Sequence, residues 1–289
     1  MFSFILLSSM LAAAPDAAAP PPPQPADDIV VEGVRQQRER VHQFVKALDD
    51  VANLGQIGKF HSPVCPAVMG LPAEQNRRIA ERMKQVAAAA GIRTGEAGCA
   101  PNVFLIATVG KKDTIEALYE GFPTYFRDLS SKEVRKLAMA RTPSVAWQIK
   151  NLLSADGTIL KKTPLNGFTI NEGMSSGSRV RAGTMPQFVA SMVVVERSAL
   201  TGLTITQVAD FAAMRAFADT DPERAAGSGA PTILTILDKG DDEPLPVTLT
   251  HWDFGYLKSL YATSNDYYAS YRRGEMEQVV RKELEKAGQ

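Results

Sequence analysis

Residues 193–217 read VVVERSALTGLTITQVADFAAMRAF. Val193-Val194-Val195 is the apolar, β-branched run of a buried strand. A short turn follows, and then a strong helical pattern to Phe217. Thr204 with Gln207 three places on makes a T-x-x-Q capping box, so Gln207 reads as a helix cap. Gln207, Asp210 and Met214 share one face at three- and four-residue spacing. Asp210 is a candidate general base only if desolvation raises its pKa. Local polar contact or solvent exposure is the plainer role for Asp210 and Arg215.

The remaining chain supplies partners for this unit. Its 289 residues are 45% apolar and 22% charged, enough for a full-sized core. Lys+Arg and Asp+Glu both number 32, and this zero balance argues against nucleic acid as partner. Residues 1–14, MFSFILLSSMLAAA, have signal-peptide proportions and are too short for an ordinary membrane span, an uncleaved apolar segment being the alternative. No basic residue precedes the apolar run. Residues 15–27 form a Pro/Ala-rich linker whose Pro20 to Pro23 favour a polyproline II spacer. No later segment is long and apolar enough to span a bilayer. Cys65 and Cys99 are an isolated pair, which in an exported protein points to one disulfide, free buried thiols being the alternative. Closing that loop would contribute ~3–4 kcal/mol in the chain-entropy model.

Asp28–Glu32 reads as a short strand, and from Val34 a helix carries Val41, Phe44, Val45, Leu48 and Val51 on one face. Gly55 to Phe60 should be a turn and short strand. Pro72 opens a helix that turns Ile79, Met83, Val86 and Ala90 inward and stops at Gly91. Val103–Val109 is a strand covered on both faces. Asp113 with Glu116, Ser130 with Glu133, and Thr250 with Asp253 repeat the capping signal. Val145–Ile149 reads as a strand, and Asp156-Gly157 as a hairpin turn. Residues 151–184 are the least regular, and Gly173 to Gly183, with Arg179 and Arg181, form a surface loop or an anion contact. Thr232–Leu237 reads as a strand, with a short helix as the alternative. A last helix runs from about Glu275 to Lys286.

Few residues offer chemistry. His42, His61 and His251 lack metal-ligand spacing, and no P-loop, dinucleotide fingerprint, H-E-x-x-H or G-x-S-x-G occurs. Trp252, Asp253 and Tyr256 make a second candidate cluster beside Asp210 and Arg215. Asp266, Tyr267, Tyr268 and Tyr271 form an aromatic patch.

The phrases FHSPVCPAVMGLPAEQNRRIAERM, AGIRTGEAGCAPNVFLIAT, LTGLTITQVADFAAMRAFA and PVTLTHWDFGYLKSLYATSNDYY resemble a family of secreted alphaproteobacterial proteins of unknown function. The order of strand, turn and helix at 193–217, followed by LTHWDFGYLKSLYA, also resembles the layout of bacterial secreted zincin-like proteins. On that pattern Gln207, Val208 and Phe211 stand where the first His, the Glu and the second His would be, and none can do that work. The resemblance informs fold and undermines peptidase activity.

The expected fold is therefore one α+β domain over 28–289, a mixed sheet packed with several helices and resembling a degenerate zincin-like core. The expected role is periplasmic or secreted and non-catalytic, binding an envelope protein, peptide or cell-wall component, or structural. No cofactor or metal is expected. A groove along Asp210, Met214, Trp252 and Tyr256 is the candidate binding surface. The alternative is a hydrolase of unrecognised type, with Asp210, Arg215, Asp253 and Tyr256 meeting in one cleft. Export predicts that N-terminal sequencing of the mature protein finds the first 13 or so residues removed; a soluble cytosolic product that keeps Met1 contradicts it.

Overall fold

A computed structural model describes residues 27–49, 55–165, 168–173, 175–238 and 244–287, with the backbone alone described at 27–34, 161–162, 164–165 and 168–172. In chain order the elements begin with α1 (Asp27–Leu48), β1 (Lys59–Phe60), β2 (Pro66–Met69), α2 (Ala73–Ala89) and β3 (Val103–Thr108). Next come α3 (Lys111–Gly121), α4 (Ser131–Ala138), β4 (Ser144–Ser154), β5 (Lys161–Leu165), β6 (Phe168–Glu172) and β7 (Thr184–Glu196). Helices α5 (Ile205–Phe217), α6 (Pro222–Gly227), α7 (His251–Ala262) and α8 (Ala269–Ala287) complete the chain. Contacts divide the chain at residue 36, inside α1; all packing below concerns residues from 37 onward.

Strand β7 is the spine. It pairs parallel with β1 through Gln187 and Phe188 and with β3 from Ser191 to Glu196, and antiparallel with β4 along its whole length. Strand β2 lies parallel to β3 on the far side. The result is a mixed sheet in an α+β fold, as expected. Among the described residues no strand pairs with the outer side of β4. Val103, Leu105 and Ala107 face one core, with α1, α2, α5, α7 and α8; Ile106 faces the other, with α3 and α4. Strand β3 is thus covered on both faces, which explains its unbroken apolar run. In β7 a bulge opposite Ile149/Lys150 inserts Val189, so that Phe188 and Val193 reach the same core despite their odd separation.

The disulfide Cys65–Cys99 forms, with Cα atoms 6.1 Å apart. It ties the entry to β2 to the turn before β3, where Asn102 accepts from the Cys65 N–H at 2.7 Å. Gly95 gives the bridge its seat: a Cβ there would stand 2.7 Å from the Cys99 Sγ. The caps at Ser130/Glu133, Thr204/Gln207 and Thr250/Asp253 are all closed in both directions.

Some expectations need correction. Asp28–Glu32 belongs to α1 rather than to a strand. Asp113 does not cap α3: the helix starts earlier, behind Gly110, whose N–H is taken by the Thr108 hydroxyl. Thr232–Leu237 is a 3-10 turn at Ile233–Thr235, capped by Thr232. Its side chains go into the core beside α5, and burial rather than β-branching decides its conformation. The stretch 151–184 contains the β5–β6 hairpin, and the last helix starts at Ala269. Val51 lies outside the described residues.

Helix α5 is buried along its whole length from Gln207 to Phe217. Asp210, fully buried, accepts from Arg82 Nε at 2.8 Å and Nη2 at 3.0 Å, from the Thr248 hydroxyl at 2.6 Å and from the Leu249 N–H at 2.8 Å. Arg82→Met should therefore destabilise the fold by about 3 kcal/mol in chemical denaturation, since it strands a buried carboxylate. A loss below about 1 kcal/mol would mean that the pair behaves as a surface bridge.

Candidate functional site

The four residues singled out for chemistry do not meet in one cleft. Asp210 is occupied as described. Asp253 is fully buried and accepts from the Thr232 hydroxyl at 2.5 Å, the Ile233 N–H at 2.8 Å, and the Thr250 N–H at 3.0 Å and hydroxyl at 2.8 Å. Burial pushes its carboxyl up, and these hydrogen bonds oppose that shift. Tyr256 is buried, its hydroxyl reaches the Leu48 carbonyl at 3.5 Å, and burial raises its pKa. Trp252 packs edge-on against Phe44 at 5.3 Å, and the Arg40 guanidinium covers its ring at 5.4 Å. The expected groove along Asp210, Met214, Trp252 and Tyr256 is therefore not open: all four side chains are buried, because the sheet covers α5 on one side and helices cover it on the others.

The other polar clusters are also spent on structure. His42 pairs with Glu277 at 2.8 Å, and His61 Nε2 meets Asn265 Oδ1 at 3.1 Å. Burial, with Lys59 nearby, lowers the His61 pKa. Arg181 stacks on Tyr267 at 4.5 Å and pairs with Asp266 at 3.5 Å, so the Gly/Ser loop and the tyrosine patch satisfy each other. Among the described residues no three His, Cys, Asp or Glu side chains could hold a metal. No helix among them is long and apolar enough to cross a membrane.

One cleft is built differently. Its floor is the outer edge of β4. Val145 pairs with Val194, and the Pro143 carbonyl accepts from Glu196 N–H at 2.9 Å, so odd-numbered β4 residues bond to β7. Even-numbered ones point their backbone groups outward. At Lys150 the outward N–H is capped by Asp128 at 2.6 Å and the carbonyl by Arg127 at 3.2 Å. At Ser144 the carbonyl is taken by the Thr142 hydroxyl at 2.9 Å. Between them, the backbone groups of Ala146 and Gln148 have no protein partner among the described residues, and of the two Ala146 lines a cavity of about 320 Å³.

The cavity has two walls. The end of α4 and the residues after it supply Lys136, Leu137 and Ala140; α5 and the corner into α6 supply Arg215, Asp219, Asp221 and Glu223, and Asp238 lies near enough to Glu223 to feel its charge. Thr142, Pro222, Glu223 and Asp238 also line a second cavity of about 820 Å³ alongside α6, so the two form one channel. Gln148 Nε2 donates to the Arg215 and Ala218 carbonyls at 3.0 and 3.3 Å, which fixes the corner to β4. Arg215 donates from Nη1 to the Thr220 carbonyl, and its buried Nε meets no acceptor. Burial lowers its pKa to about 10, against the pull of Asp221, Asp219 and Asp238. Burial and the Glu223 charge raise that of Asp238. Of the candidates named from sequence, Arg215 alone reaches this channel. The edge at Ala146 was missed because pairing partners cannot be read locally. The crowded carboxylates of Asp219, Asp221 and Glu223 were the signal available.

Compared with family models, curated proteins and solved structures, the chain matches none.

A buried cation elsewhere offers a pH test of the fold around the site. Lys59 donates to the carbonyls of Tyr261, at 3.2 Å, and Thr263, at 2.5 Å, at the end of α7. Burial, then Arg272, lowers its pKa to about 8 from 10.5. The folded state thus holds fewer protons than the unfolded one between those values. Stability should rise with pH through that window. Thermal melts of wild type and Lys59→Met at pH 7 and 10 should show wild type gaining on the variant at pH 10; an unchanged gap refutes the shift.

Proposed function

We propose that this chain is an exported envelope protein that holds an extended peptide segment without catalysis. The observation that carries this reading is the unpaired backbone edge at Ala146, open to a walled channel. An exposed strand edge is a template for a further strand, and flanking walls add side-chain selection. The leader-like residues 1–14 and the Cys65–Cys99 bridge suit an oxidising compartment. The hydrolase alternative draws less support, since Asp210, Asp253 and Tyr256 are each committed to buried structure. Affinity should be modest, because one rung of pairing contributes two hydrogen bonds worth about 0.5–1.5 kcal/mol each.

The edge makes a sharp prediction. Ala146→Pro removes an N–H that faces outward and is tolerable on an edge strand. Val145→Pro removes one that pairs with β7 and should unfold the sheet. A capped random hexapeptide library, selected on the immobilised protein, should yield binders that Ala146→Pro fails to retain while keeping the wild-type fold by circular dichroism. Binders retained equally by Ala146→Pro, or no enrichment at all, overturn the reading.

A further inference from the structure

The two walls of the channel differ in charge, and they stand on opposite faces of the sheet. Helix α4 packs on the core of β3 and β4 that contains Ile106 and Trp147. The corner after α5 belongs to the other core, since Phe217 and Ala218 lie there. A strand added at Ala146 continues the pleat, so its side chains alternate between the two walls. On the α4 side they meet Leu137 and Ala140, with Lys136 repelling any cation. On the other side they meet carboxylates.

These carboxylates are not equally available. Asp219 is already answered by Lys150 Nζ at 2.7 Å. Asp221 caps α6 by accepting from the Glu223 N–H at 3.0 Å. Arg215 sits beneath, buried, with Nη1 on the Thr220 carbonyl. Glu223 and Asp238 remain, the latter offset in part by the Arg215 charge. They stand close enough to oppose each other's charge, and both line the junction of the two cavities. An incoming cation placed there would relieve that repulsion and complete the charge balance of the wall.

Resting on the peptide-binding reading above, we propose that the occupant is an extended segment of alternating apolar and basic residues, its apolar side chains on Leu137 and Ala140 and a Lys or Arg between Glu223 and Asp238. Alternation is the selective feature, because shifting the register by one residue would put a cation against Lys136 and an apolar group against two carboxylates.

Fluorescence anisotropy with labelled, capped hexapeptides tests this. The probe Ala-Leu-Lys-Leu-Lys-Ala should bind the full mature chain about tenfold more tightly than its isomer Ala-Leu-Leu-Lys-Lys-Ala. Replacing Lys by Glu should abolish binding. Glu223→Gln combined with Asp238→Asn should remove the preference, and both substitutions are at the surface. Equal binding of the two isomers, with loss of both in Ala146→Pro, would overturn the alternation and leave the strand-edge reading standing. Binding of neither isomer overturns this proposal, and binding untouched by Ala146→Pro overturns both.

Discussion

Asp210 carries a carboxylate into the centre of the protein, and the arrangement around it follows from satisfying that one group. Arg82 grips it from α2 with two nitrogens, while Thr248 and Leu249 close on it from the segment before α7. Two distant parts of the chain are thereby locked to α5. A buried carboxylate lacking these donors would cost several kcal/mol, comparable with a large share of a domain's net stability. The same logic runs along the whole helix. Gln207 closes the N-terminus and donates to the Pro246 carbonyl at 2.8 Å; Gln148 and Thr220 close the C-terminus. A helix buried on every side needs all of its ends and polar side chains answered from within.

That demand explains why residues of catalytic type are held in buried structure here. Asp253 orders the α7 start and the 3-10 turn together. Arg272, fully buried, donates to the carbonyls of Ile57 and Leu260 and to the Thr263 hydroxyl, and beside Lys59 it plugs the C-terminus of α7. Cations at that end of a helix are favoured by its dipole, which offsets part of their desolvation. Each charged group is tied to backbone it must satisfy, which leaves it little freedom to serve a ligand.

Much of this was legible in the sequence, and the misses share a cause. Capping pairs were read correctly at Ser130, Thr204 and Thr250, because the chemistry is local. It failed at Asp113, where Thr108 had already satisfied the helix entrance from the preceding strand. The apolar run at Val103 announced a strand covered on both faces. The similar run at Ile233 became a 3-10 turn because it packs beside α5 and lacks a strand partner. Met214, Trp252 and Tyr256 were correctly placed on helices, yet helical spacing alone does not distinguish a groove wall from a core wall when sheet and helices together surround the element. The β4 edge was invisible for the converse reason: which side of a strand stays unpaired is decided by residues far away in the chain.

The open stretch of β4 is better understood against the way the rest of that edge is treated. A free strand edge invites association between molecules, and proteins usually blunt it. Here Asp128 and Arg127 seal both backbone groups of Lys150, and Thr142 seals the carbonyl of Ser144. Protection is thus present at Lys150 and at the Ser144 carbonyl and missing at Ala146 and Gln148, of which Ala146 lines the cavity. The gap also lies in a cavity between α4 and the α5–α6 corner, so side chains from both faces of the sheet flank it. Flanking walls of this kind narrow the approach to a free edge, as charge and proline do elsewhere. On the peptide-binding reading proposed above, that open rung, rather than any titratable side chain, is the contact a ligand would use.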